Sequence, residues 1–228
     1  MSRCDRQTRF DLPDDCRRIL VVGSGGFGRE VVEWASDAWP DHADRIAGFL
    51  SLEDQHDSVP YAGLGIITTP DDYRPAAGDR LLLAIGIPYV RRAVTESLKA
   101  RGASFLTLVH PAAVVAGSAV LGEGTIACPY SIISARSTVG RFALLNYHSS
   151  IGHDGVAGDF SVLSPYAAIG GSARIEEDVF LGLHASVGPG RNVGAGSKVS
   201  ANSCVLSSVA PASIVYGVPG RARPLVGT

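Results

Sequence analysis

From Val115 to Val205 every sixth residue is apolar: Val115, Leu121, Ala127, Ile133, Val139, Leu145, Ile151, Ala157, Leu163, Ile169, Ile175, Leu181, Val187, Val193, Val199 and Val205. With 46% apolar residues and six possible phases, chance would produce such a run in about one sequence in 40,000. The residue four after each anchor is usually Ala, Ser, Thr or Gly. Alternation along a strand turns positions i and i+4 inward and leaves i+2 and i+3 at corners. Half of those corner positions are Gly, Pro, Asp, Asn or Ser, the residues that tight turns select. The period predicts a parallel β-helix in which three hexads make one triangular coil of 18 residues, a little over five coils in all. The period does not fix its handedness.

The first half of the chain has a different rhythm. Arg18 to Gly23 (RILVVG) is a β-branched run ending on glycine, followed by a glycine-rich turn and a helical spacing that starts at Glu30. Further strands are predicted at Ile46–Leu50, Arg80–Ile85 and Ser104–Val109, with a helix over Val90–Arg101 closed by Gly102. Strands alternating with helices predict a small open α/β sheet of Rossmann-like type. The expected organisation is a polar tail (1–18), a Rossmann-like domain (19–108), a parallel β-helix domain (109–214) and a C-terminal tail (215–228).

Composition narrows the function. The 27 glycines and only 7% aromatic residues suit a solenoid with tight corners and aliphatic stacking, and 14 of those glycines lie between 109 and 214. A net charge of −2 supplies no basic footprint, which argues against nucleic acid as a partner. No run approaches the ~20 apolar residues of a membrane helix, and residues 1–18 lack the apolar middle of a secretion signal, so a cytoplasmic location is expected. Cys4, Cys16, Cys128 and Cys204 form no CxxC pair and are read as reduced thiols, with Cys128 and Cys204 buried and inert.

Residues 18 apart stack, so the corners sort into three columns. One carries Glu123, Arg141, Asp159, Glu177 and Asp178 and reads as a solvated charged edge; a second carries Tyr130, His148, Tyr166 and His184. The third runs Gly117-Ser118, Ala135-Arg136, His153-Asp154, Gly171-Ser172, Pro189-Gly190 and Ser207-Ser208. On it His153 stands as a bulky imidazole between small neighbours. A histidine with an ordinary pKa near 6.5 can take a proton from an amine or hydroxyl attacking a thioester. Asp154 would fix its tautomer, and the Gly171 amide one coil on would serve as oxyanion donor.

Several segments together resemble the bacterial sugar acyltransferases typified by PglD and NeuD. They are Gly23, Ser24, Gly25, Gly26, Phe27, Gly28 and Arg29 at the first turn; Ala84-Ile85-Gly86 followed by Arg91; and His110-Pro111-Ala112. Asn146, Ile151-Gly152-His153-Asp154 and the terminal Tyr216-Gly217-Val218-Pro219-Gly220-Arg221 belong to the same set. The likeness spans roughly residues 18–224. It implies a left-handed β-helix, a homotrimer with active sites between subunits, and acetyl transfer from acetyl-CoA to the amine of a nucleotide-linked amino sugar; O-acetylation of a sialic-acid-type sugar is the alternative. In that family pattern His153 is the base, Asp154 its partner, Asn146 a substrate contact and residues 23–29 the diphosphate cradle. Acetyl-CoA would lie near Gly171, Leu183, Ala201, Gly217 and Pro219.

Bare N–H groups at a helix start make the glycine turn an anion site on physical grounds too. A dinucleotide site competes for the same turn and would want an acid after the second strand, where Glu53 and Asp54 stand. The chain departs from the family pattern at Ser51-Leu52, at Ile87-Pro88, and at Val162, nine residues after the base, where a second histidine is usual. These changes touch acceptor recognition more than acetyl transfer. A zinc lyase like the gamma carbonic anhydrases could use His148 and His184, but Pro189 occupies the region of the third ligand, and no metal is expected.

Overall fold

The structure, a computed structural model, describes residues 10–51 and 61–225. Its first part is a four-stranded parallel sheet, made by β1 (Arg18–Val22), β2 (Ile46–Leu50), β3 (Ile66–Thr68) and β4 (Asp79–Leu83) in the order β3-β2-β1-β4. Helices α1 (Gly26–Ala38) and α2 (Pro88–Ala100) flank it. Strand β1 is the centre, with Ile19 to Val22 wholly buried, as its β-branched run requires.

The expected last strand of this sheet, Ser104–Val109, is divided instead. Phe105 makes a single bridge to Leu81, while Leu108–Val109 pairs with Ile126–Ala127 and becomes the first strand of the solenoid. Val109 stands six residues before Val115, so it continues the hexad series one step upstream. Strand β3 fills the fourth place; three half-exposed residues are too short to display a period. Residues 10–17 are no loose tail either. Cys16 is buried, its carbonyl accepts a bond from Arg45, and the Trp39 indole donates to the Phe10 carbonyl at 3.0 Å. Cys4 lies outside the described residues, as do Glu53 and Asp54.

The solenoid follows the hexads. Two-residue strands pair with those 18 residues on, for example Leu144–Leu145 with Val162–Leu163. They form a five-, a six- and an eight-stranded face. The anchors from Ala127 to Val205 are buried, and Ala143, Ala167, Ala173 and Ala185 fill the i+4 places. Several buried serines there donate to carbonyls three residues back, among them Ser131 to Cys128 and Ser161 to Gly158. At the corners the i+3 residue adopts φ between +55° and +62° in eleven non-glycine cases, from Tyr130 and Arg136 to His184 and Asn202. That backbone is strained for an L residue. From Phe142 onward each such N–H donates to a carbonyl of the corner one coil earlier, as His148 does to Pro129 and Asp154 to Ala135, which stitches each column vertically. The C-terminal segment also joins the sheet: Ser213–Tyr216 pairs with Lys198–Val199, and Arg221–Pro224 folds back antiparallel on it.

The two parts are packed together, which corrects the reading of the charged column as a solvated face. Its corner residues Phe142 and Phe160 are buried, stacked at 5.2 Å, with Phe105 edge-on to Phe142. Helix α2 lies on this edge: Arg92 grips Asp178 at 2.6 to 3.0 Å above the Phe160 ring, and Lys99 pairs with Glu123. The wholly buried Arg91 ties the parts by donating to the carbonyls of Leu83, Ile85 and Phe142. On the eight-stranded face the outward residues Ile126, Leu144 and Val162 are buried in one cluster with Val31, Val32 and Ala35 of α1. No helix among the described residues is long and apolar enough to cross a membrane.

Candidate active site

His153 and Asp154 occupy the corner that links Ser150–Ile151 of the six-stranded face to Val156–Ala157 of the five-stranded face. Asp154 takes the left-handed conformation (φ 58°), which an aspartate tolerates better than most residues. Its Oδ2 lies 2.8 Å from His153 Nδ1. The imidazole is 68% exposed, so the pair stands open to a ligand. The other ring nitrogen, Nε2, reaches over Gly171 on the next coil, where a Cβ would fall 2.6 Å from it. Gly171 therefore supplies bare backbone beneath the ring, and among the described residues its N–H makes no hydrogen bond. A Cβ on Gly152 would in turn fall 2.6 Å from the Gly171 backbone nitrogen, so the glycines at 152 and 171 together leave that amide accessible.

A third side chain joins this corner. Arg136, one coil before, donates from Nε to Asp154 Oδ1 at 2.6 Å and from Nη2 to Oδ2 at 3.0 Å. The guanidinium first, and then the imidazole, hold the Asp154 carboxyl down at about 2. Residue 136 sits 18 before 154 in the same column, and that spacing is the signal that would have paired them.

The remaining predicted residues fall elsewhere. Asn146 lies at the start of the aromatic corner, its Oδ1 accepting from Tyr147 N–H at 2.8 Å. Leu183 and Ala201 are exposed on that same edge, and Gly217 (φ 88°) and Pro219 form the exposed turn between the last two strands. Within one chain these positions are on a different edge from Gly171. The aromatic column itself is a stack of rings: Tyr130 on His148, His148 on Tyr166 and Tyr166 on His184 are 4.7 to 5.0 Å apart and nearly parallel. Among the described residues no group of three His, Cys, Asp or Glu is placed to hold a metal ion.

In the glycine turn, Gly23 has φ 107° and would place a Cβ 2.6 Å from the Ala84 carbonyl; at Gly28 a Cβ would come still closer to the Gly23 carbonyl. Gly28 lets α1 approach the end of β1 closely, and Gly23 lets that end pass close to the chain leaving β4. Gly25 caps α1 without a side-chain bond, and Gly26 is open with Arg29 beside it. Phe27 stacks edge-on to Trp34, and the Ser24 hydroxyl meets that of Ser51 at 3.0 Å. Val162 is buried between the two parts of the chain, away from the His153 edge.

A histidine-to-asparagine mutant of the perosamine N-acetyltransferase of Caulobacter crescentus, solved with CoA and GDP-perosamine, superposes with a TM-score of 0.79 and 26% identity over 90% of this chain and 96% of that one. The chain is a homologue of the PglD-like hexapeptide-repeat sugar acetyltransferases. WeeI of Acinetobacter baumannii AYE gives a TM-score of 0.82 at 25% identity, covering 90% and 99% of the two chains. In sequence, the GDP-perosamine N-acetyltransferase of Escherichia coli O157:H7 is 26% identical over 171 residues, 75% of this chain and 77% of that protein. No family model matches the chain. The Caulobacter and Escherichia coli relatives are N-acetyltransferases, which are acyltransferases, and CoA is bound in the solved Caulobacter enzyme.

Set in this homologue, the glycine turn belongs to the part that covers the eight-stranded face, whereas His153 stands on the edge opposite that face.

Proposed function

We propose that the chain transfers an acetyl group from acetyl-CoA to the amino group of a nucleotide-linked amino sugar, with His153 as general base. The observation that carries this reading is the His153 corner: an imidazole anchored through Nδ1 on a carboxylate, with Nε2 free above a glycine amide. The neutral ring would take the amine proton as the nitrogen attacks the thioester carbonyl. The Gly171 N–H would receive the developing oxyanion, and collapse would expel CoA as a thiolate that recovers a proton. The Caulobacter and Escherichia coli relatives are perosamine N-acetyltransferases, which favours N- over O-acetylation.

In this reading the first part is a Rossmann-like nucleotide-sugar domain, and residues 23–29 hold the acceptor's diphosphate at the α1 N-terminus. Asn146 contacts the sugar, while Leu183, Ala201, Gly217 and Pro219 line the acetyl-CoA groove with Gly171. Because those residues lie on a different edge from Gly171, and the glycine turn on the far side of the prism from His153, a complete site requires more than one chain. A left-handed homotrimer with sites between subunits meets that requirement. Val114 (55% exposed) and Ile132 (45%) point outward from the six-stranded face, and burying them would favour such an assembly.

The test is release of free CoA from acetyl-CoA with a panel of nucleotide-linked amino and hydroxy sugars, GDP-perosamine among them. Turnover with an amino sugar is expected, and His153→Ala should lower it about 10²- to 10⁴-fold while leaving the far-ultraviolet dichroism unchanged. No release with any acceptor would refute the reading.

A further inference from the structure

The search for a residue beyond the proposed pair leads to Arg136. Two solenoid corners carry an arginine paired with an aspartate 18 residues on: Arg141 with Asp159, at 2.7 to 2.9 Å, and Arg136 with Asp154. The first pair meets no histidine. In the second, both carboxylate oxygens accept from the guanidinium while Oδ2 also faces His153 Nδ1. A carboxylate in a two-toothed grip cannot rotate about its last bond without losing a charge-assisted contact. Arg136 is itself fixed at its backbone, where its N–H donates to Ser118 Oγ at 3.0 Å.

We propose that Arg136 is a positioning residue for the base: it locks the Asp154 carboxylate in the orientation that holds the proton on His153 Nδ1 and leaves Nε2 free to receive one. The inference rests on the acetyl-transfer reading only for its consequence in catalysis; the tautomer stands independently of it. Two physical effects follow from the same contact. The first is orientation, since a neutral imidazole places its single proton on whichever nitrogen meets the better acceptor. The second is charge. Arg136 and Asp154 are the charged groups packed against the ring from the corner and the coil before it, and the coil after it contributes only Gly171 and Ser172. With the guanidinium present the ring faces a neutralised carboxylate; without it, the carboxylate charge is unopposed and favours the protonated ring, which cannot act as a base.

The experiment compares wild type, Arg136→Gln, Arg136→Lys and the matched control Arg141→Gln. Histidine labelled with nitrogen-15, with the His153 signals assigned by loss in His153→Gln, reads the tautomer directly and needs no substrate. The expected result is a predominantly Nδ1-protonated neutral ring in wild type and a mixture in Arg136→Gln, with Arg136→Lys restoring the charge but not the two-toothed geometry. With the best acceptor from the CoA-release panel, the acidic limb of kcat/KM against pH should move up by roughly half a unit in Arg136→Gln, and by less in Arg136→Lys. Arg141→Gln should leave both readouts at their wild-type values.

An unchanged tautomer and an unchanged profile in Arg136→Gln would overturn the proposal and reduce the contact to a stitch between coils, visible only in Tm. A tautomer shift without turnover by any acceptor would leave the positioning role intact and refute the acetyl-transfer reading instead.

Discussion

At the scale of single residues, the proposed chemistry depends on what is missing at position 171 as much as on what is present at 153. A Cβ at Gly171 would meet the end of the exposed His153 ring rather than backbone, so the ring is what must give way. Gly171→Ala should therefore displace the imidazole and lower kcat by at least tenfold with little change in Tm, measured by CoA release and thermal melting of the same preparation. Asp154 gives a second prediction. Its carboxyl is held at about 2 in the folded chain, against an ordinary 3.8, by the Arg136 guanidinium and the His153 ring. A group whose pKa is lower folded than unfolded stabilises above its ordinary value and loses that contribution as pH falls through the folded one. Between about pH 4 and pH 2 the wild type should therefore lose Tm more steeply than Asp154→Asn, measured by melting at fixed ionic strength; the effect is small, because the pair is on the surface. His153 and Asp154 were legible as neighbours in the sequence, but the arginine was not, because its link to Asp154 spans a whole coil.

At the scale of elements, each solenoid strand contributes two residues and one inward anchor, so stability comes from the stack rather than from any one strand. Leu181 is a fully buried anchor in the middle of it. Leu181→Ala should cost about 2–5 kcal/mol in urea unfolding, since the rigid coils on either side cannot close the gap. The hexad period made these elements readable to the residue. The same period explains the one strand assigned to the wrong sheet: Leu108 and Val109 obey the solenoid's register, and pairing with Ile126–Ala127 satisfies it. The strand Ile66–Thr68 carried no period and was not legible.

At the scale of the molecule, the decisive contact is the docking of the α/β part on one face and one edge of the prism. Arg91 is its key. Burial pushes the guanidinium pKa down to about 9, and its partners are carbonyls at the ends of β4 and at the Phe142 corner. Arg91→Met removes the donors and leaves three carbonyls poorly satisfied. It should cost about 3 kcal/mol or more and separate the melting of the two parts into distinct transitions, read by calorimetry. A single unchanged transition would show that Arg91 does not couple them. The docked face had a signal in the sequence: Ile126, Leu144, Val162 and Phe180 are apolar at outward positions 18 apart, and Phe142 and Phe160 are apolar at corners.

The sequence by itself determined the solenoid, its inward core, its three columns of corners and the placing of His153 beside Asp154, because all of these follow from a short local period repeated sixteen times. Only the tertiary structure decided which faces of the prism are covered, that the charged column is a docking edge, and that Arg136 closes on Asp154. An outward side chain is buried or exposed according to what another part of the chain brings against it. A contact between coils depends on a register that no six-residue window contains.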